Sequence, residues 1–545
     1  MNKRFLLVSL LVILAMVFTA CGPKGEKLAT SINMNCLSEP PTHDPNLATD
    51  TTSVQNVHLL YLGLTQFDAK TNETIPRLAT KWEVSSDGLT WKFFLRKDAV
   101  WVHYDPATKK VTEKGPVTAY DVEYSVKRMF DPVTASEYAY VGYIVKNSQK
   151  FNTGEITDPA EVGVKALDAY TVQFTVEEPA GFFPGIAGMW FMNPVPREPI
   201  EKFGDKWVEP GNVWTCGPYM METWEHSNKI IMVKNPKYYD AKNVTIEKIT
   251  WYMVNEESTA FAMYENGELD VCPVPSADLD RVKADSVLSK EYYQAPNLCT
   301  YYYGFNNTKP PFDNKLVRQA FSIGFDRQKL IDTVLKGGQR PAKTFACPGI
   351  FGTPAEDPNF PALTLDAAKA KQLLADAGYP DGKGLPEITI MYNTSEGHKR
   401  IAEFIQQQWK ENLGVEVKLA NQEWATYLKT VYGPDTPQIF RLGWCADYPD
   451  EDNWVRAVFH STKGENSIKW SNAEFDKAAA DGASASDPAK RKELYAKAEK
   501  ILAIDEAAMI PIYYYTRNVC TKPYVERTYS ALGGEQIENW KVKVH

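Results

Sequence analysis

Arg441 and Asp447 stand on either side of a glycine, a tryptophan and a cysteine in the sequence RLGWCADY, which spans residues 441–448. A buried carboxylate without a partner is costly, so a buried aspartate normally has a cation beside it. An α-ammonium group would supply that cation and a terminal carboxylate would suit the arginine, so the two side chains could hold a peptide by its charged ends. The alternative is a surface turn with an ordinary salt bridge, which contributes little to stability.

The first residues of the chain predict export. Lys3 and Arg4 precede an apolar run that ends at Phe18, and small residues follow before Cys21, which is the pattern of a secretory signal peptide over residues 1–20. The run is too short for a comfortable transmembrane helix. A cysteine directly after the small residues resembles the bacterial lipoprotein signal, in which this cysteine is lipidated, although Phe18 stands where leucine is usual. The alternative is an ordinary secretory signal, which would leave the mature protein unanchored.

Charge and composition exclude several classes of function. Loss of the first 20 residues, with Lys3 and Arg4, changes the formal charge from −9 to −11, which argues against binding nucleic acid through a basic surface. Residues 21–27 would form a lipidated tether. The rest of the chain is long enough for two large or about three smaller domains. Seven cysteines remain besides Cys21, without the paired spacing of a metal site, so we predict neither a metal nor another cofactor.

Helix and strand signals are sharpest in the second half of the chain. Asp366 is placed to cap a helix that Gly378 ends. A strand is then predicted over 388–391, a helix over 398–413 and a second strand over 415–419. Together these three elements form a βαβ unit.

Many short strings, spread along nearly the whole mature chain, carry a family resemblance. In chain order they are Ser38-Glu39-Pro40-Pro41, Pro76-Arg77-Leu78-Ala79, Trp91 to Trp101, Pro116-Val117-Thr118-Ala119, Gly217-Pro218-Tyr219, Asn235-Pro236, Gly267-Glu268-Leu269-Asp270, Leu298 to Tyr303, and the sequences at 393–398, 422–424 and 443–448. No single string is decisive. Their order and spacing together resemble the peptide-binding proteins of bacterial ABC importers, which belong to a large family of extracellular solute-binding proteins.

The resemblance implies an α/β fold of the periplasmic-binding-protein type, a clamp of two lobes built from three domains around a hinge. The implied domains are a core domain of lobe I over 28–61, 197–298 and 516–545, an inserted domain of lobe I over 62–196, and lobe II over 299–515. The chain would cross the hinge near Cys299 and Thr516. The predicted βαβ unit supports lobe II independently, because it lies entirely within that lobe.

The resemblance also implies which residues hold the ends of a bound peptide. Asp447 matches the aspartate that receives the α-ammonium, and a carboxylate inside a closing cleft attracts a cation more strongly as water leaves. Arg441 matches a residue that meets the terminal carboxylate, for which a forked guanidinium is suited. His398 matches a second partner of that carboxylate. The alternative for His398 is an exposed histidine at a helix N-terminus near Glu396.

Further positions match the walls of the peptide cleft, where they would contact the peptide backbone or its side chains. These are Tyr138, Tyr302, Trp424, Gly443 and Trp444, although aromatic residues are as often part of a core. Thr49 stands where relatives carry a glutamate. Leu335 and Val431 stand where close relatives carry basic residues, which alters the peptide lengths expected, and the neighbouring Lys336 could substitute for the first of them.

Cys299 and Cys445 match a pair that forms a disulfide in the family, and export favours oxidation. Such a bond would close a loop of 146 residues and would fix the backbone beside Asp447. The alternative is two buried free thiols. No partner can be assigned to the other mature cysteines, which are Cys36, Cys216, Cys272, Cys347 and Cys520.

The function implied by the resemblance is that of an extracytoplasmic substrate-binding lipoprotein of a peptide ABC importer. It would capture short oligopeptides by their termini and backbone, deliver them to the transmembrane permease subunits, and act as a monomer, lipid-anchored at the outer face of the cytoplasmic membrane or periplasmic. We expect no enzymatic activity. The alternatives are a binder of another solute, such as an oligosaccharide or a nickel chelate, and a surface peptide sensor. An exported peptidase has less support, because the sequence lacks His-Glu-x-x-His and Gly-x-Ser-x-Gly.

Overall fold

The computed structural model of the protein describes residues 28–532 and 534–545. The predicted signal peptide, Cys21 and the tether therefore lie outside the described residues. Within these residues, no helix is both long and apolar enough to span a bilayer.

Strands and helices alternate along the described chain. Strands β1 to β22 are, in chain order, Ser31–Asn35, Thr65–Phe67, Thr74–Pro76, Ala79–Val84, Thr90–Leu95, Val100–Asp105, Lys110–Pro116, Val164–Asp168, Thr171–Thr175, Trp214–Thr215, Tyr219–Glu225, Lys229–Lys234, Lys248–Tyr252, Val271–Pro273, Tyr292–Phe305, Arg340–Pro341, Ile388–Asn393, Val417–Gln422, Ile439–Cys445, Met509–Thr521, Val525–Glu526 and Lys541–Val542. Helices α1 to α16 are Thr51–Leu60, Ala119–Phe130, Ser148–Asn152, Phe183–Ala187, Arg197–Phe203, Glu257–Glu265, Leu279–Ala284, Leu288–Glu291, Lys315–Ile323, Arg327–Leu330, Ala367–Asp376, Glu396–Leu413, Trp424–Tyr432, Val455–Phe459, Ala473–Ser484 and Pro488–Glu499.

The largest sheet has the strand order β11-β12-β13-β1-β14-β20-β15-β19-β17-β18, with β16 beside β20. β15 and β20 are its longest strands, and their antiparallel pairing is interrupted between Pro296 and Thr300 on β15. On one side of the interruption lie β1 and β11 to β14, and on the other lie β16 to β19. The sheet therefore changes from one group of strands to the other close to the predicted hinge positions. The domain bounds themselves stay a prediction.

The predicted βαβ unit is present, with shifted ends. β17 and β18 run parallel and are joined by α12. This helix starts at Glu396, two residues before its predicted start, because the side chain of Ser395 accepts a hydrogen bond from the backbone N–H of His398 and caps it. Gly414, with a φ of 73°, ends the helix in the left-handed conformation that glycine adopts most readily. Asp366 caps α11 as predicted.

The chain between β1 and β11 forms smaller sheets around an aromatic core. β4, β5, β9 and β8 make a four-stranded antiparallel sheet, and β10, β6 and β7 make a three-stranded one. The rings of Phe93, Phe174 and Phe183 pack at steep angles, with centroids 5.4 to 6.3 Å apart. α2 packs against β8 and β9, and the chain that follows it carries Tyr138 to the large sheet, where its ring contacts Trp444.

Candidate functional site

β19 and the turn after it carry the central residues of the candidate site. β19 pairs antiparallel with β15 along its length, and Arg441 lies within it. Cys445, at the end of β19, lies opposite Cys299 on β15, and the two form a disulfide with their Cα atoms 4.0 Å apart. The bond ties the end of β19 to β15 two residues before Asp447. The backbone that carries this carboxylate is therefore anchored to the large sheet.

Asp447 is a half-buried carboxylate held by uncharged donors. Its Oδ2 accepts hydrogen bonds from the Tyr138 hydroxyl at 2.7 Å and from Nδ2 of Asn453 at 2.8 Å. Within the described chain, no lysine or arginine forms an ion pair with it. Burial raises the pKa of Asp447 from 3.8 to about 7, and the two hydrogen bonds offset only part of this rise. A ligand cation would therefore favour its ionised form.

Arg441 is a buried guanidinium surrounded by neutral groups. Its Nη1 donates to Oδ1 of Asn393 at 3.1 Å, its Nη2 donates to the Tyr515 hydroxyl, and its Cζ lies 4.6 Å from the centroid of the Tyr301 ring. Its Nε has no hydrogen-bond partner. Among residues 28–532 and 534–545, no carboxylate pairs with Arg441. The site thus contains one anion and one cation, six residues apart, that lack charged partners from the described protein.

His398 lies in the first turn of α12, close to the arginine. Its Nδ1 is 3.4 Å from the Tyr301 hydroxyl. Its side chain is half-buried, and burial together with the charge of Arg441 lowers its pKa well below 6.5. His398 is therefore neutral at neutral pH and can exchange a hydrogen bond with a ligand without adding a positive charge.

Two glutamates form a reciprocal contact between α6 and α12. The carboxylate of Glu396 accepts hydrogen bonds from the backbone N–H and the hydroxyl of Ser258, each at 3.0 Å. The carboxylate of Glu257 accepts from the Ser395 hydroxyl at 2.8 Å and from the backbone N–H of Gly397 at 3.3 Å. Each carboxylate lies at the N-terminus of the opposite helix, where the helix dipole favours negative charge. We call this contact between the predicted lobes the glutamate clasp.

Trp444 and Gly443 shape the surface between the two charges. The Trp444 ring stacks on the Tyr138 ring, with a centroid distance of 6.3 Å and an interplanar angle of 11°. A Cβ atom at Gly443 would lie 3.2 Å from the Tyr515 hydroxyl and 3.4 Å from Nη2 of Arg441. Any side chain there would therefore crowd the Tyr515 hydroxyl that binds the guanidinium, whereas glycine leaves the backbone of β19 accessible.

Trp424 and Thr49 lie near each other at a second part of the predicted wall. Nε1 of Trp424 donates to Oδ1 of Asp50 at 3.3 Å. Asp50 also caps α1 by accepting from two backbone N–H groups. Thr49, the residue before it, is half-buried. The contact brings β18 and α13 against the start of α1.

Tyr302 differs from the other predicted wall residues because it is fully buried. Its ring packs between Phe345 and Phe459, with centroid distances of 5.3 and 6.0 Å. Its hydroxyl has no hydrogen-bond partner. Neighbouring side chains on a strand point to opposite faces, so Tyr301 contacts Arg441 and Tyr302 does not. The ring of Tyr302 belongs to the core, and only its hydroxyl is left for a polar group.

The two positions that carry basic residues in close relatives are buried and apolar here. Leu335 ends a π-helical turn, and Val431 lies within α13. Lys336, the predicted substitute for the first, donates from Nζ to Oδ2 of Asp280 at 2.6 Å. Its ammonium group is thus held by Asp280 at the surface.

Three residues of the site were not predicted. Asn453 donates to Asp447, whereas Asn393 and Tyr515 bind Arg441. Asn453 reaches the carboxylate through a tight turn, and the only sequence signal for it is the capping residue Asp450. The other two come from β17 and β20, which are far apart in the sequence, so no local pattern joins them.

Comparisons with known proteins identify the family of the chain. The family "bacterial extracellular solute-binding proteins, family 5 Middle" matches residues 73–466. The chain belongs to this family. This family 5 solute-binding protein is 34% identical over 530 residues to the periplasmic oligopeptide-binding protein OppA of Salmonella typhimurium, with 96% of this chain and 93% of that protein covered.

Solved structures confirm the predicted fold class of this solute-binding protein. The murein tripeptide binding protein MppA of Escherichia coli superposes with a TM-score of 0.87 at 30% identity, covering 95% of this chain and 100% of that one. OppA of Haemophilus influenzae in complex with the peptide RPPGFSPFR gives 0.86 at 31% identity, with the same coverage. The unliganded open form of MppA gives only 0.64 over 96% of this chain and 99% of that one. The family 5 protein therefore differs from the open arrangement, as the glutamate clasp also indicates.

Proposed function

We propose that this protein is the substrate-binding component of a peptide ABC importer and captures short peptides by both termini. The observation that carries the proposal is the pair of opposite charges at Asp447 and Arg441, neither of which has a charged partner among the described residues. Unpaired buried charges are costly, so the site selects a ligand that brings both opposite charges. A zwitterionic peptide does this, whereas a neutral sugar would leave both groups unpaired.

The spacing of the two charges suits a short extended peptide. The α-ammonium group would lie at Asp447, and the terminal carboxylate would meet Arg441, with His398 as a neutral hydrogen-bonding partner. Six residues of extended chain span about 20 Å between the backbones of Arg441 and Asp447. The long side chain of Arg441 makes the distance between the two charged groups shorter than this. An extended peptide advances roughly 3.3–3.6 Å per residue, so the pair suits about three to five residues.

The open edge of β19 would bind the middle of the peptide. In the described sheet, β17 pairs with β19 only at Ile439 and Phe440. Beyond Arg441 this edge has no neighbouring strand, and Gly443 presents no side chain there. A peptide that adds as a strand would be held by main-chain hydrogen bonds and would keep freedom in its side chains. Such binding would tolerate different peptide sequences.

We propose export, with a lipid anchor at Cys21, from the N-terminal sequence, which lies outside the described residues. We propose that the protein contacts its permease as a monomer. The predicted domain bounds are part of this proposal, because the interruption of β15 and β20 pairing at Pro296 to Thr300 supports a hinge close to Cys299.

The contacts of the site favour binding over catalysis. Asp447 bonds to Tyr138 and Asn453, whereas His398 contacts Tyr301, so the two titratable groups do not form an acid–base pair. Among the residues that the structure describes, no group of three or more His, Cys, Asp or Glu is placed to hold a metal ion. We propose that the protein performs no chemistry on its ligand.

Mass spectrometry of co-purified ligands tests the proposed function. The protein is purified from cells and denatured mildly, and the released molecules are identified. Peptides of a narrow length range are expected, with fewer from Asp447→Asn and an unchanged yield from the surface control Asp435→Asn. Released sugars or metal chelates, or turnover of added peptide by the wild type, would contradict the proposal.

A further inference from the structure

Glu465 places a second acidic group near the candidate site. It lies in the loop between α14 and α15, where its backbone N–H donates to the carbonyl of Ala457 at 3.0 Å. Oε1 of Glu465 is buried and accepts no hydrogen bond. Burial raises the pKa of its carboxyl to about 7, and Ser467 offsets only part of the rise. In the part of the chain that the structure describes, no lysine or arginine pairs with Glu465.

Three buried tyrosines belong to the same region as this carboxyl group. Phe459, at the start of the loop that carries Glu465, packs its ring on that of Tyr302 with the centroids 6.0 Å apart. Burial, followed by the charge of Glu465, raises the pKa of Tyr140, Tyr302 and Tyr432, in keeping with this placement. Tyr140 and Tyr302 are only 6% and 0% exposed, and neither hydroxyl has a hydrogen-bond partner. Buried polar atoms are nearly always hydrogen-bonded. A carboxylate oxygen and two hydroxyls that all lack partners at one place point to a polar ligand.

The cluster adjoins the place where the α-ammonium would bind. The hydroxyl of Tyr138 donates to Asp447 at 2.7 Å, and the ring of Tyr138 lies 5.3 Å from that of Tyr140, with the distance measured between centroids. Tyr138 therefore connects Asp447 to the cluster. Nε2 of Gln149 donates to the carbonyl of Thr462 at 2.9 Å, which holds the loop of Glu465 against the chain that follows Tyr138. A peptide with its α-ammonium at Asp447 would bring its first or second side chain to this cluster.

We propose that Glu465, with the hydroxyls of Tyr140 and Tyr302, forms an acidic subsite that binds the lysine or arginine side chain at the first or second position of a peptide. A lysine ammonium has three donors, which suit one carboxylate and two hydroxyl oxygens. It also brings the charge that the carboxylate lacks, whereas an apolar side chain would leave all three groups unpaired. The subsite presupposes the peptide-binding function proposed for the cleft.

Isothermal titration calorimetry with matched peptides tests the subsite. The series is Ala-Ala-Ala, its variants with lysine at each position, and the same variants with norleucine, which keeps the length of lysine and removes its charge. With the wild type, lysine at the first or second position should bind about tenfold more tightly than norleucine, or about 1.4 kcal/mol. At the third position the two should bind alike.

Glu465→Gln should abolish the preference for lysine and leave the affinity for Ala-Ala-Ala unchanged. Glu268→Gln, the same change at an exposed position, should keep the preference. The proposal is overturned if the wild type shows no preference, shows it only at the third position, or keeps it in Glu465→Gln. If that variant does not fold, the comparison of lysine with norleucine in the wild type still decides. Failure of every tripeptide to bind would instead overturn the peptide-binding function itself.

Discussion

The phenolic hydroxyl of Tyr138 donates a hydrogen bond of 2.7 Å to Oδ2 of Asp447. Tyr138 follows α2, whereas Asp447 follows β19 of the large sheet. The bond therefore joins two parts of the molecule across the candidate cleft. This hydrogen bond orients the carboxylate of Asp447. A ligand cation would then favour the ionised form of the carboxylate.

Tyr138→Phe should weaken peptide binding, because the carboxylate loses one of its two side-chain donors. The expected loss is about 1 kcal/mol, or roughly fivefold in Kd, measured by calorimetry with Ala-Ala-Ala. Tyr143→Phe is the matched control, since its hydroxyl donates to Asn152 within the same part of the chain. An equal loss in both variants would show that the bond to Asp447 has no special role.

Peptide affinity should depend on pH through Asp447. Its pKa of about 7 means that the carboxyl of the ligand-free protein is largely protonated below this pH. An α-ammonium binds the ionised form, so affinity for Ala-Ala-Ala should fall by about tenfold for each unit well below this pKa. In Asp447→Asn the affinity should no longer fall with pH in this range. An affinity that stays flat as the pH falls would contradict the assignment.

The carboxyl group of Asp447 should also make the stability of the ligand-free protein depend on pH. Because its pKa is raised in the folded state, the folded protein holds the proton more tightly than the unfolded chain. The contribution of Asp447 to ligand-free stability should be present at low pH and lost as the pH rises from about 4 to about 7. Unfolding in urea at several pH values, with Asp447→Asn as the reference, measures this change.

The glutamate clasp should stabilise the closed form only. Glu257→Ala with Glu396→Ala removes its hydrogen bonds, so peptide affinity should fall by about tenfold through faster dissociation. Glu403→Ala is the control, because Glu403 pairs with Lys399 inside α12. Unchanged dissociation in the double variant would show that the clasp does not hold the closed form.

The disulfide between Cys299 and Cys445 should stabilise the protein against unfolding. It closes a separation of 146 residues, for which the chain-entropy relation gives about 5 kcal/mol. Urea unfolding of the wild type should shift to lower concentration in reductant. The double alanine variant should start at the lower midpoint and not respond to reductant. A wild type that does not respond to reductant would contradict the prediction.

The sequence was sufficient for the elements with strong local signals. The βαβ unit followed from apolar periodicity and from end signals such as Gly414, although its predicted strands differ from Ile388–Asn393 and Val417–Gln422 by two or three residues at their ends. The start of α12 was misplaced because Ser395 was not recognised as its cap. Local signals failed where tertiary contacts decide. Tyr301 and Tyr302 are both aromatic and both fully buried, so the pattern of β15 does not show which of them contacts Arg441.

The charged residues of the site show the same limit. Asp447 and Arg441 were predicted because they lie in one short motif. Asn453, which holds the carboxylate, depends on a tight turn, and Tyr515, which holds the guanidinium, comes from another strand. Glu465 belongs to no recognisable sequence motif. Only the fold shows that its carboxyl group is buried and has no basic partner among the described residues.

The measurement that tests the central claim most directly is a calorimetric double-mutant cycle between the protein and the ends of its ligand. Ala-Ala-Ala, its N-acetyl form and its C-terminal amide are titrated into wild type, Asp447→Asn and Arg441→Met. Acetylation should cost the wild type about 100-fold in affinity and Asp447→Asn little, and amidation should show the same pattern with Arg441→Met. If blocked and free peptides bind the wild type equally well, the two charges do not hold the peptide ends.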